Sequence, residues 1–219
     1  MLNKYLFLLF VFIPNTLFAV DCSKFKFDVD VNVKITNEDI KIKKSDKELV
    51  DMLGYAEPQL SYSVPYQNIP IRVHGGFCVA LRWVDVNITQ KFDIVLDKNL
   101  KENSCAYKLV LQHETDHVNV NKKVLNDNKD YIKKSVRDVA NSIEPIFVKD
   151  LSEIDKSVDF YEKIKDNDII KKMKSDIKSK IDKENENIDE RGDNYDIWKC
   201  DDFYKDMKEN AIHTMYGID

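Results

Sequence analysis

The sequence predicts an α+β fold: N-terminal antiparallel strands, then a helix carrying a His-Glu-x-x-His motif, then further helices. Three observations predict it. Alternating apolar residues cluster before residue 97, the apolar period lengthens to that of a helix after Cys105, and nothing beyond Pro145 reads as strand. Strands followed by helices imply an antiparallel sheet with the helices segregated on one side.

Residues 1–19 read as a secretory signal peptide. Lys4 supplies the positive end, residues 5–13 form an apolar run too short to span a bilayer, and Leu17-Phe18-Ala19 ends in a small residue suited to cleavage. Residues 20–219 then form a single domain, with no stable membrane insertion once the signal is cut. Cleavage removes Lys4 only, so the 34 basic residues become 33 against 39 acidic ones, a net charge of −6. No basic patch stands free of acidic neighbours, which argues against nucleic acid as a partner. Cys22, Cys78, Cys105 and Cys200 all survive cleavage. An even number of cysteines in an exported chain predicts two disulfides, with three pairings open.

Phe25, Phe27, Val29, Val31, Val33 and Ile35 alternate with polar residues, and Ile40 and Ile42 follow Asn37-Glu38-Asp39. Residues 24–44 are therefore expected to form a hairpin. Ser45 and Glu48 make a capping box for a short helix over residues 46–53, closed by Gly54. Residues 55–76, with Pro58, Pro65, Pro70 and Gly75-Gly76, read as loop. Alternation returns at Val79, Leu81 and Trp83, then shifts phase at Val84, Val86 and Ile88, which predicts a bulge or two partly buried faces. Residues 92–96 form a further strand, and residues 98–104 a polar turn.

From Cys105, the residues Ala106, Val110, His113, His117, Val120 and Val124 step by three and four. That spacing predicts a helix with both histidines on its inner seam, running on through Ile143 to a stop before Pro145. Residues 147–190 have a helical period with a break at 166–168, and the mixed tail 191–219 carries Tyr195, Trp198 and Cys200 to tie it back.

His113-Glu114-Thr115-Asp116-His117 is the stretch that names a chemistry. Residues four apart share a helix face, so two imidazoles at this spacing can grip one Zn²⁺ while the glutamate between them addresses a metal-bound water. A catalytic zinc takes three protein ligands and leaves one position open. Glu114 is then the general base that takes a proton from the water and passes it to the leaving amine.

On this motif the chain resembles the zincin metallopeptidases. The resemblance implies an antiparallel edge strand above the helix on which a peptide substrate pairs, and residues 92–96 are the natural candidate. An edge strand, a cysteine and then this helix in an exported chain is also similar to small bacterial secreted zinc-dependent proteases of unknown-function domain families, over residues 77–125. The metzincin continuation would need glycine and histidine where this chain has Val120 and Lys123. The aspzincin string G-T-x-D-x-x-Y-G and the gluzincin string N-E-x-x-S-D are also absent.

A gluzincin-like plan draws its third ligand from a later helix, and position selects Glu184. Ile170, Met173, Ile177 and Ile181 form an apolar seam that continues to Glu184 and Ile188, and a carboxylate on such a face calls for a partner. Glu144, Glu186 and Asp189 are the rivals. His74, His213 and Tyr195 are weaker candidates for transition-state hydrogen bonding, and Asn87-Ile88-Thr89 is a glycosylation sequon with meaning only in a eukaryotic pathway. The function expected is an exported, secreted or periplasmic zinc metallopeptidase acting on peptide or protein substrates. The contrasting class is a non-catalytic exported binding or envelope-assembly module with a structural metal or none. The sequence specifies no oligomeric state.

Overall fold

The computed structural model describes residues 20–49, 52–154, 162–163, 166–190 and 200. The expected signal peptide, Tyr195, Trp198 and His213 lie outside them. The described residues form a mixed α+β fold: one six-stranded sheet and three long helices.

The sheet is built around a single strand. The strands are β1 (Asp30–Asn37), β2 (Lys41–Lys44), β3 (Gly54–Ser63), β4 (Tyr66–Val73), β5 (Gly76–Leu96) and β6 (Ile146–Val148). Each of the others pairs with β5. β4 and then β3 run antiparallel along one side of it. On the other side β6 is antiparallel, while β1 and β2 are parallel. The expected hairpin over 24–44 is therefore not formed. Asn37-Glu38-Asp39 interrupts a chain that keeps its direction, and the Glu38 N–H still donates to the Gln90 carbonyl of β5.

Residues 55–76, expected as loop, hold two strands. Pro58 and Pro70 sit inside them because each strand bonds β5 on one side only, and an edge tolerates a missing N–H. Residues 92–96 belong to the middle of the sheet, between β3 and β2, and so form no edge. The phase change at Trp83-Val84 is a bulge: Asn68 faces Leu81 and Gln67 faces Trp83, leaving Arg82 as the extra residue. Leu81 and Val84 consequently enter the same core cluster. Residues 45–49 form no helix. Ser45 Oγ accepts from Lys47 N–H, and the Asp97 carboxylate accepts from Leu49 N–H at 2.6 Å.

Helix α1 (Cys105–Asp127) begins at Ser104, whose hydroxyl accepts from Tyr107 N–H. It does not run on to Ile143. Asn128 breaks it, folding its side-chain amide back onto the Val124 carbonyl, and α2 (Lys129–Ser142) follows. β6 after Pro145 is a strand the apolar pattern did not announce, only three residues long. α3 (Asp168–Glu190) starts at the expected break, where Asn167 Oδ1 accepts from Ile169 N–H.

The helices cover one face of the sheet in two clusters. Phe92, Ile94 and Leu96 pack against Ala106, Val110 and Val118 of α1. Val31, Val33, Val84 and Val86 pack with Ile132, Val136 and Val139 of α2 and with Ile170, Met173 and Ile177 of α3. The two disulfides are Cys22–Cys78 and Cys105–Cys200. No described helix is long and apolar enough to cross a membrane.

Candidate metal centre

The buried seam of α1 runs through Ala106, Val110, Glu114, Val118 and Leu125. Glu114, only 5 % exposed, thus occupies the sheet-facing line where the sequence placed the histidines. His113 and His117 lie to its flank, on the side where α1 meets α3, and both remain largely covered. At a turn of 3.6 residues, each sits about 60–100° round from Glu114.

The two rings stand edge-on, with centroids 4.3 Å apart and planes at 87°. Their Nε2 atoms converge to 2.9 Å. Asp189 Oδ1, from the last turn of α3, lies 3.1 Å from His117 Nε2 and 3.4 Å from His113 Nε2. Donor atoms about 2.0–2.2 Å from a tetrahedral zinc stand about 3.3–3.5 Å from one another. The three atoms therefore nearly match one face of a zinc tetrahedron, slightly contracted, and the 61 % exposed Asp189 side chain leaves the site open to solvent.

Asn185 completes the arrangement. Its Oδ1 accepts from His117 Nδ1 at 3.0 Å, which holds a proton on Nδ1 and, in the neutral ring, reserves Nε2 as the lone-pair donor a metal needs. Two imidazole nitrogens and a carboxylate oxygen, within 3.4 Å of one another, form a donor set that fits a divalent metal.

Glu184 is not brought to the histidines. Its carboxylate is exposed and receives a long contact from Asn187 Nδ2 at 3.5 Å. Ile170, Met173, Ile177 and Ile181 do face the core, but the histidines lie toward α1, about 100° round the helix from that seam. Asn185 and Asp189, four apart, present that other face and mirror the four-residue spacing of His113 and His117. Glu186 is exposed and forms no part of the cluster. Glu144 pairs with Lys26 at 2.5 Å. His74 is exposed in the β4–β5 turn, where Gly75 takes a φ of 81°, at the other end of β5 from the site.

Strand β3 passes beside Glu114. Leu53 O accepts from Asp97 N–H, and antiparallel alternation then bonds Tyr55 and Glu57 to β5 while the backbone groups of Gly54, Ala56 and Pro58 face the open edge. The Ala56 N–H bonds to the Glu114 carboxylate. Burial raises the Glu114 pKa above its ordinary value, against the opposing pull of His117 and Ala56. Burial also lowers the His113 pKa to about 4, reinforced by His117. The close approach of β3 to α1 depends on Gly54, where a Cβ would stand 2.7 Å from Val110 Cγ1.

In comparison with known proteins, the chain matches no protein-family model, no curated protein and no solved structure.

Proposed function

We propose that the chain is an exported zinc-dependent metallopeptidase of minimal, zincin-like plan, with His113, His117 and Asp189 as metal ligands and Glu114 as general base. The observation that carries this reading is the convergence of His113 Nε2, His117 Nε2 and Asp189 Oδ1 at zinc-ligand spacing beside a buried glutamate. Two disulfides support folding in an oxidising compartment, in keeping with removal of residues 1–19.

When bound, zinc supplies a Lewis acid that brings the pKa of water toward neutrality and polarises a carbonyl. The protein's own groups do the rest. Asn185 holds the His117 ring in the tautomer that offers Nε2. The open edge of β3 replaces the strand first expected at 92–96 as the place for an extended peptide, which would donate N–H groups to the Ala56 and Pro58 carbonyls. Glu114, its raised pKa suited to alternating between base and acid, takes a proton from water on its carboxylate and delivers it to the leaving amine nitrogen.

The test pairs metal content with peptide hydrolysis. One zinc per chain is expected. Glu114→Gln should keep the metal and lose about 10²–10⁴-fold in rate. Purified protein without stoichiometric metal, or a fully active Glu114→Gln variant, would sink the reading. A fourth protein ligand in the metal-bound structure, with no hydrolysis, would assign the non-catalytic class instead.

A further inference from the structure

Two of the three donor atoms are local, on successive turns of α1, whereas Asp189 comes from 72 residues beyond His117. Apolar packing holds the first part of α3 through Ile170, Met173 and Ile177, with Ile181 partly buried against the same cluster. No later residue of α3 belongs to that cluster. Asp189 lies eight residues past Ile181, about 12 Å along the helix, and one residue before the end of α3. The ties described there are polar: the Asn185–His117 hydrogen bond and the contacts of Asp189 itself. Among the described residues, the next anchor is covalent. Cys200, eleven residues after Asp189, is bonded to Cys105, the first residue of the helix that carries both histidines.

We propose that the Cys105–Cys200 disulfide is a redox latch that completes the metal site, so that the chain binds zinc tightly only once it has been oxidised. The inference rests on the zinc reading above and adds its regulation. The disulfide closes the chain from the end of α3 back to the start of α1, which confines Asp189 near the two histidines and raises its effective concentration there. In a reducing compartment the chain keeps the two histidines, and the third ligand is held only by the polar end of α3 and the Asn185–His117 hydrogen bond. A peptidase built this way stays poorly loaded with metal where it is synthesised and is completed after export. The step is thiol–disulfide exchange with an oxidised dithiol carrier or small disulfide. The Cys105 thiolate attacks the carrier disulfide, and the Cys200 thiolate resolves the mixed disulfide. Two protons leave the cysteines, and two electrons pass to the carrier, which departs as a dithiol.

Reduction should reach the latch first through its exposed Cys105 end, although Cys200 is buried, because both Cys22 and Cys78 are buried. The experiment measures zinc affinity by chelator competition in the oxidised protein, in Cys105→Ser/Cys200→Ser, in Asp189→Ala and in the triple variant, with circular dichroism to confirm the fold. The expected result is a roughly tenfold or greater weakening in the cysteine variant, the size of loss seen when a ligand-orienting partner is removed. Asp189→Ala should cost less in that background than in the oxidised protein, since an unlatched aspartate retains only part of its contribution. Should the double cysteine variant not fold, mild reduction of the wild type must weaken zinc binding, and reoxidation with glutathione disulfide must restore it. Zinc affinity within about twofold of the wild type without the disulfide, or losses that simply add, overturns the latch while leaving the zinc reading intact. An oxidised wild type that binds no zinc overturns both.

Discussion

Replacing Asp189 by alanine separates a ligand from a surface charge, because the two roles differ in when the loss is felt. Without metal, the carboxylate is 61 % exposed and faces His113, whose pKa of about 4 keeps it neutral at pH 7. Truncation should then change fold stability by no more than about 1 kcal/mol, the range for exposed ion pairs. With zinc at about a thousand times its Kd, binding adds about 4 kcal/mol to the stability of the wild type. Loss of a ligand that weakens Kd by about a hundredfold removes about 2.7 kcal/mol of that, or about 5–11 °C in Tm for a chain of this size. Calorimetry with and without zinc reads both quantities. Asp189→Ala should keep the metal-free Tm and lose most of the zinc-induced rise, while Glu184→Ala keeps both. The reverse result, with Glu184→Ala abolishing the rise and Asp189→Ala sparing it, would refute the assignment.

Three further outcomes test the surroundings. Asn185→Ala should weaken zinc binding by about 10–100-fold through loss of the His117 Nδ1 partner, measured by chelator competition, and Asn185→Asp should restore it. Gly54→Ala should destabilise by about 1–3 kcal/mol in urea unfolding, because its Cβ would meet Val110 Cγ1 at 2.7 Å and Leu96 Cδ2 at 3.0 Å. An unchanged midpoint would show that β3 has room to move. Metal-free protein should lose stability as pH falls from 6.5 toward 4. Unfolded His113 takes up its proton near 6.5, whereas the folded ring resists until about 4, a difference of at most about 3 kcal/mol. The raised pKa of Glu114 offsets part of this, since the folded carboxyl gains its proton first as pH falls. Urea midpoints at pH 7.5 and pH 5 that coincide would contradict the assignment of His113 as buried and neutral.

The start of the motif helix at Cys105, the irregularity at Trp83-Val84 and the break before Asp168 were legible because each rests on local chemistry. What the sequence hides is long-range. β1 runs parallel to β5 with Asp30 opposite Trp83, and no local signal distinguishes that pairing from a hairpin. β3 and β4 were masked by their prolines, although proline is compatible with an edge strand that bonds on one side. The site was half legible for a related reason. An apolar seam reports the direction of the core, and on both α1 and α3 the polar atoms that converge lie to the side of that seam. The paired spacings, 113 with 117 and 185 with 189, were the available clue.

The position of β5 also bears on how such a chain is made. Every other described strand pairs with β5, and of these only β4 is joined to it by a tight turn. A chain that emerges from its N-terminus presents β1 to β4 before any of them has a partner to bond. Those four strands must wait, with backbone donors and acceptors unpaired, until residues 76–96 follow. The β4–β5 turn is the natural nucleus, since it closes the shortest loop, and β1 pays the entropy of a much longer one. The waiting interval is when such strands are most open to pairing with the wrong chain, and the Lys41, Lys43 and Lys44 side chains of β2 are charges of the kind that discourage it.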